Sequence, residues 1–162
     1  AKARKKSSRS TTEGIIASYV HANHKIGVMM EVACETDFVA RNDEFQQLAK
    51  ELCMQVTAMQ PDVVSREDLP EEEVEKEKDI YREQYKDKPD EVIERIVEGK
   101  MEDYYSDVCL LEQPYIRYDD RTVKEVVNEA IAKLGENINV RRFVRMELGG
   151  GEESIAEETQ EE

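Results

Sequence analysis

The chain has 162 residues, 39% hydrophobic and 38% charged, with a formal net charge of −15. A chain of this length suits one domain with a core of its own. So acidic a surface repels nucleic acid and anionic membranes, which leaves a protein partner or a small ligand. Cys34, Cys53 and Cys109 stand far apart with no CxxC spacing. Neither a zinc site nor a disulfide framework is indicated, and a reducing compartment fits.

Residues 1–12 carry Lys2, Arg4, Lys5, Lys6 and Arg9 with no acid. They read as a flexible basic arm or linker, with the remnant of an organelle targeting segment as a second reading. The chain does not begin with Met and is expected to be a processed product or a fragment. Ile15–Val20 and Ile26–Cys34 read as two strands joined by the short turn His21–Lys25. In the second, Ile26, Val28, Met30, Val32 and Cys34 alternate with the other residues, so one face is buried. His21 and His24 have no Cys, Asp or Glu close in sequence to complete a metal site, and read as solvated turn residues.

Asp43–Gln60 is the clearest helix. Phe45, Leu48, Ala49, Leu52, Val56 and Met59 recur at steps of three and four, Asp43 and Gln46 resemble a capping box, and Pro61 stops the run. Cys53 lies beside the stripe as a small buried residue. Leu69–Asp87 opens with Pro70 and a run of glutamates and has few large apolar residues; its tyrosines could face another subunit. Pro89 opens a second helix with a broad apolar face, in which Gly99 suggests close packing. Residues 69–111 thus read as an inserted antiparallel helical hairpin. Thr122 and Glu125 cap a last helix, which Gly135 ends. Ile138, Val140, Val144, Met146 and Leu148 then alternate as a third strand facing one way, with Arg141, Arg142 and Arg145 available to an interface. Residues 150–162 carry Glu152, Glu153, Glu157, Glu158, Glu161 and Glu162 with no base, and predict a disordered acidic tail. The expected fold is α+β: a small three-stranded antiparallel sheet covered by helices, the core spanning 13–149.

Between the second strand and the long helix lies Cys34-Glu35-Thr36-Asp37-Phe38-Val39-Ala40-Arg41-Asn42. A turn in such a place can hold side chains out to a partner. Here it offers a carboxylate, Asp37, beside an aromatic ring, Phe38. The plain alternative is a turn that only starts a helix, with Phe38 packed inward and Asp37 as a local cap. No Ser/His/Asp or Cys/His arrangement and no phosphate-cradling glycine loop stands out, so neither enzyme chemistry nor a cofactor or metal is expected.

Thr36-Asp37-Phe38-Val39 resembles the signature of the elongation factor Ts family. Glu31–Arg41 around it, Glu13-Gly14, Ile26-Gly27-Val28, Gln113-Pro114-Tyr115-Ile116 and Leu134–Phe143 are similar to the family as well, so the resemblance covers roughly 11–149. It implies a guanine-nucleotide exchange factor that binds elongation factor Tu carrying GDP. Its turn would press into the GTPase domain near the magnesium ion. Phe38 would wedge between side chains of two helices. Asp37 would take polar contacts that hold the ion's water shell, while Thr36 and Val39 shape and anchor the turn. Family members usually begin with a small helical module, which is not seen here. The single core copy resembles the short type that pairs as a homodimer. The flavour is cyanobacterial or plastid, which favours a chloroplast stroma over a mitochondrion and leaves a bacterial cytoplasm open. The alternative is a ribosome-associated or assembly protein that keeps the fold without exchange activity.

Overall fold

The computed structural model describes residues 6–150 and 154–159; Lys2, Arg4, Lys5, Glu152, Glu153, Glu161 and Glu162 of the arm and tail lie outside them. Strand β1 (Glu13–Val20) and strand β2 (Ile26–Cys34) form an antiparallel hairpin in register from Glu13 opposite Cys34 to Val20 opposite Gly27. Gly14 permits this close approach. It sits at φ +151°, and a Cβ there would lie 2.3 Å from the Val32 carbonyl oxygen. A one-turn helix α1 (Asp37–Ala40) and the long helix α2 (Asp43–Met59) follow. Helices α3 (Glu71–Gln84) and α4 (Asp90–Val108) make the hairpin, and α5 (Val123–Leu134) leads into β3 (Ile138–Glu147). A final strand, β4 (Ser154–Glu157), pairs antiparallel with β3, giving the order β1-β2-β3-β4.

The fold is α+β as expected, but the sheet has four strands and not three. The fourth comes from the segment whose composition reads as a disordered tail. Backbone pairing of 154–157 with Arg142–Arg145 recruits it, Ala156 enters the main core, and Arg142 reaches Glu157 at 3.8 Å. Beyond β4, the Asp68 carboxylate accepts from both the amide and the hydroxyl of Thr159 at 2.9 Å.

The core lies between one face of the sheet and helices α2 and α5. Val28, Met30, Val32 and Cys34 of β2 are buried, which is the period-two pattern read from the sequence. From α2, Phe45, Leu48, Ala49, Leu52, Cys53 and Val56 fill the space above them. The cap of α2 is Asn42, not Asp43: its Oδ1 accepts from the amides of Glu44 (2.8 Å) and Phe45 (3.3 Å). Thr122 caps α5 by accepting from Glu125 N, and Gly135 ends it at φ +80°.

The expectation that Ile138 to Leu148 face one way fails at a β-bulge. Glu31 pairs with Arg142, while Val32 pairs with Val140, leaving Arg141 as the extra residue. The side-chain alternation therefore inverts. Ile138 and Val140 point into the core before the bulge, Phe143 does so after it, and Met146 (54% exposed) and Leu148 (75%) face outward. The three arginines all have partners within the fold. Arg145 is buried and donates to the Thr57 carbonyl near the end of α2 at 3.2 Å, Arg141 donates to the Thr11 carbonyl at 2.6 Å, and Arg142 pairs with Glu31 at 3.0 Å.

The α3–α4 hairpin has a small core of its own, Ile93, Val97 and Met101, against which Val74, Tyr81, Tyr85, Tyr104 and Tyr105 pack. Its tyrosines thus turn inward. At the base Arg66 bonds Glu102 and Glu112 and stacks over the Tyr105 ring at 4.1 Å. Gly99 has no packing reason to be glycine, because a Cβ there would meet nothing within 4 Å. Gly99→Ala is expected to stabilise the chain by about 0.5–1 kcal/mol, since alanine loses less backbone entropy in a helix interior. Urea unfolding checks this; a loss of stability would mean that α4 is strained there.

Candidate functional site

The chain leaves β2 at Cys34 and must reach the start of α2 at Asp43. It does so through α1, a single helical turn. Thr36 is its cap, in extended backbone at φ −128° and ψ 156°, and its hydroxyl accepts from Val39 N at 3.4 Å. The turn divides its residues by direction. Ala40 is buried and Val39 packs against the main core, so the inner side is anchored. Asp37 is exposed, and Phe38 stands 81% exposed.

The plain alternative, with Phe38 packed inward, is not what the fold adopts. One exposed aromatic residue is ordinary on a protein surface. What distinguishes this ring is its mounting on a capped, anchored turn beside a charged pair. Arg41 Nη2 lies 2.9 Å from Asp37 Oδ2, and the guanidinium sits 5.8 Å from the Phe38 ring centroid. The result is a small outward tip with an acid, a base and an apolar ring.

The tip is held from behind by a segment distant in sequence. Glu136 follows the helix-ending Gly135, and its Oε1 accepts from Glu35 N (3.1 Å) and Thr36 N (2.9 Å). Its Oε2 accepts from the Thr36 hydroxyl at 2.6 Å. In return, Glu35 Oε2 accepts from Asn137 N at 2.6 Å. The same corner receives the described part of the basic arm: Lys6 donates to the Gly135 carbonyl at 2.7 Å, and Asn137 Nδ2 donates to the carbonyls of Ser7 and Arg9. Burial, with the Glu136 charge nearby, pushes the Cys34 thiol up to about 11. It stays protonated at neutral pH and donates to the Thr36 carbonyl at 3.2 Å. Thr36, Asp37, Phe38 and Val39 are thus brought together on one turn, as their adjacency in sequence requires. The supports Glu136 and Asn137 carry no local signal, because their partners lie about a hundred residues away.

Comparison with known proteins bears on what such a tip is for. A family model described as Elongation factor TS matches residues 2–150. A protein named Elongation factor Ts from Thermotoga petrophila is 59% identical over 153 residues, covering 94% of this chain and 77% of that protein. Proteins of the same name from Thermotoga neapolitana (60% identical, 92% and 76% covered) and Thermodesulfovibrio yellowstonii (55%, 92% and 75%) are similar as well. These relatives are bacterial, and none lends support to the plastid flavour read from the sequence. The chain belongs to the elongation factor Ts family.

Proposed function

We propose that the Thr36–Val39 turn is the element by which this chain drives GDP from elongation factor Tu. As a member of its family the chain is a nucleotide exchange factor for elongation factor Tu in translation elongation, and not an enzyme. The observation that carries the reading of the turn is the exposed Phe38 ring on an anchored helical turn, next to Asp37. Phe38 is the wedge between helices of the GTPase domain. Asp37 leaves Arg41 to take polar contacts near the partner's magnesium ion. Val39 and Thr36 hold the turn to the core while this happens.

No bond is made or broken. Magnesium needs near-octahedral oxygen geometry and bridges nucleotide phosphates to protein, so a small shift of its supports loosens GDP. A factor that binds the nucleotide-free state more tightly must weaken GDP by the same ratio. A ~1000-fold weakening needs about 4 kcal/mol of differential binding. One buried aromatic anchor with a few polar contacts is of that order. The test is release of a fluorescent GDP from elongation factor Tu on mixing with the chain. Strong acceleration supports the reading. Binding without acceleration would turn it toward a ribosome-associated or assembly protein. Its place is the bacterial cytoplasm, where its partner works.

We also propose a homodimer, built on the open face of the sheet. The tyrosines of the helical hairpin pack internally and do not support that surface as the contact. The sheet face opposite α2 carries Ile16, Met29, Met146 and Ile155, all exposed, with Met29, Val144 and Ile155 in one cross-strand row. Met29→Glu would place a carboxylate in the centre of each half. It should weaken the dimer by about a hundredfold or more, because an unpaired charge at a buried contact is costly. Sedimentation velocity across a dilution series reads this, and an unchanged profile would remove the face from the proposal.

A further inference from the structure

The Glu136 clasp is concentrated in an unusual way. Its carboxylate accepts three hydrogen bonds, and all three come from Glu35 and Thr36, the two residues immediately before Asp37 and Phe38. A contact that served only the fold would need no such focus, since β2 and β3 are already tied by a ladder from Ile26–Glu147 to Cys34–Ile138. Something outside α1 has to hold it. One helical turn cannot sustain itself, because nucleation fixes several residues for a single bond. Its own cap bond, from Val39 N to Thr36 Oγ, is long at 3.4 Å.

The chemistry of the hydroxyl explains the arrangement. Thr36 Oγ has one proton and two lone pairs. Glu136 Oε2 takes the proton at 2.6 Å, which leaves the lone pairs to face the amide of Val39. Glu136 Oε1 meanwhile takes both amides of the chain entering the turn. We propose that Glu136 is a positioning residue for nucleotide exchange: it fixes the aim of the Asp37–Phe38 tip before the partner arrives, so that the partner does not have to order it. This rests on the turn being the exchange element. An ordered tip delivers its wedge without spending binding free energy on folding it.

The test uses the full chain with Glu136→Ala and Glu136→Gln, and Phe38→Ala as the reference. Three quantities are read: GDP release from elongation factor Tu at saturating factor, thermal unfolding, and amide hydrogen exchange of the free chain. Glu136→Ala should slow maximal release about tenfold to a hundredfold, as small misplacements of a working group do. It should also speed hydrogen exchange at 35–40 while β2 and α2 stay protected. Glu136→Gln should fall between, since its amide oxygen can still accept from the two backbone amides but its nitrogen cannot take the Thr36 proton. Several outcomes overturn the proposal. One is unchanged release with Glu136→Ala while Phe38→Ala is inactive, which leaves the turn's role standing. Another is exchange loosened across the whole sheet with a matching fall in melting temperature, which makes Glu136 a fold contact. If Phe38→Ala itself exchanges normally, the reading of the turn fails first, and positioning for exchange falls with it.

Discussion

Replacing Phe38 with alanine will remove most of the acceleration of GDP release and leave the stability of the chain nearly untouched. The ring is 81% exposed, so truncation takes little apolar surface out of a buried site. What it loses within the chain is the contact with Arg41 at 5.8 Å, which at an exposed site is worth about 0.5–1 kcal/mol. The loss against the partner is larger. Aromatic anchors seated in a pocket carry about 2–4 kcal/mol on truncation, which corresponds to about 30- to 1000-fold in the complex that drives exchange. Stopped-flow release of labelled GDP, paired with thermal unfolding of the free chain, measures both sides. Near-normal acceleration with an unchanged melting temperature would sink the wedge role of Phe38 and shift attention to Asp37.

Seven residues further on, the opposite result is expected of the same substitution. Phe45 is fully buried at the first turn of α2, directly after the Asn42 cap. Phe45→Ala removes a core ring that the sheet below and the helix around it cannot fill by collapsing. Such changes cost about 3–5 kcal/mol, against a total of about 5–15 kcal/mol for a domain. The urea midpoint should fall sharply with the slope unchanged, since the surface exposed on unfolding stays nearly the same. At a temperature where the variant is still folded, exchange should persist, because the Glu136 clasp holds the tip from outside this core. A loss below about 1 kcal/mol would contradict the packing of α2 on the sheet. The pair of substitutions, on adjoining helices, would thus separate partner binding from folding.

The sequence reads well where a rule is local. The alternation in β2 holds from Val28 to Val32 because nothing interrupts its pleat. The two helices of the hairpin are legible because Pro70 and Pro89 each stand at the N-cap. Reading fails where a distant partner decides. Arg141 is an ordinary residue in the sequence, but as the extra residue of a bulge it inverts every side chain that follows in β3. Glu157 and Glu158 look like solvated tail, yet Arg142 and Asn139 on the neighbouring strand receive them. At the turn, adjacency of Asp37 and Phe38 was visible, but not which way the ring points. That depends on Val39 and Ala40 taking the inward places, and on Glu136 arriving from beyond α5.

The added strand β4 has a consequence in time. Translation proceeds from the amino end, so 154–159 leave the ribosome after every other described element. Until then β3 has a bare outer edge, and the core position filled by Ala156 is empty. Without β4 the sheet is three-stranded, with unpaired amides and carbonyls along Arg142–Arg145 of the kind that neighbouring strands adopt. Closing that edge therefore waits for 154–159, and a chain cut short before them would keep it open.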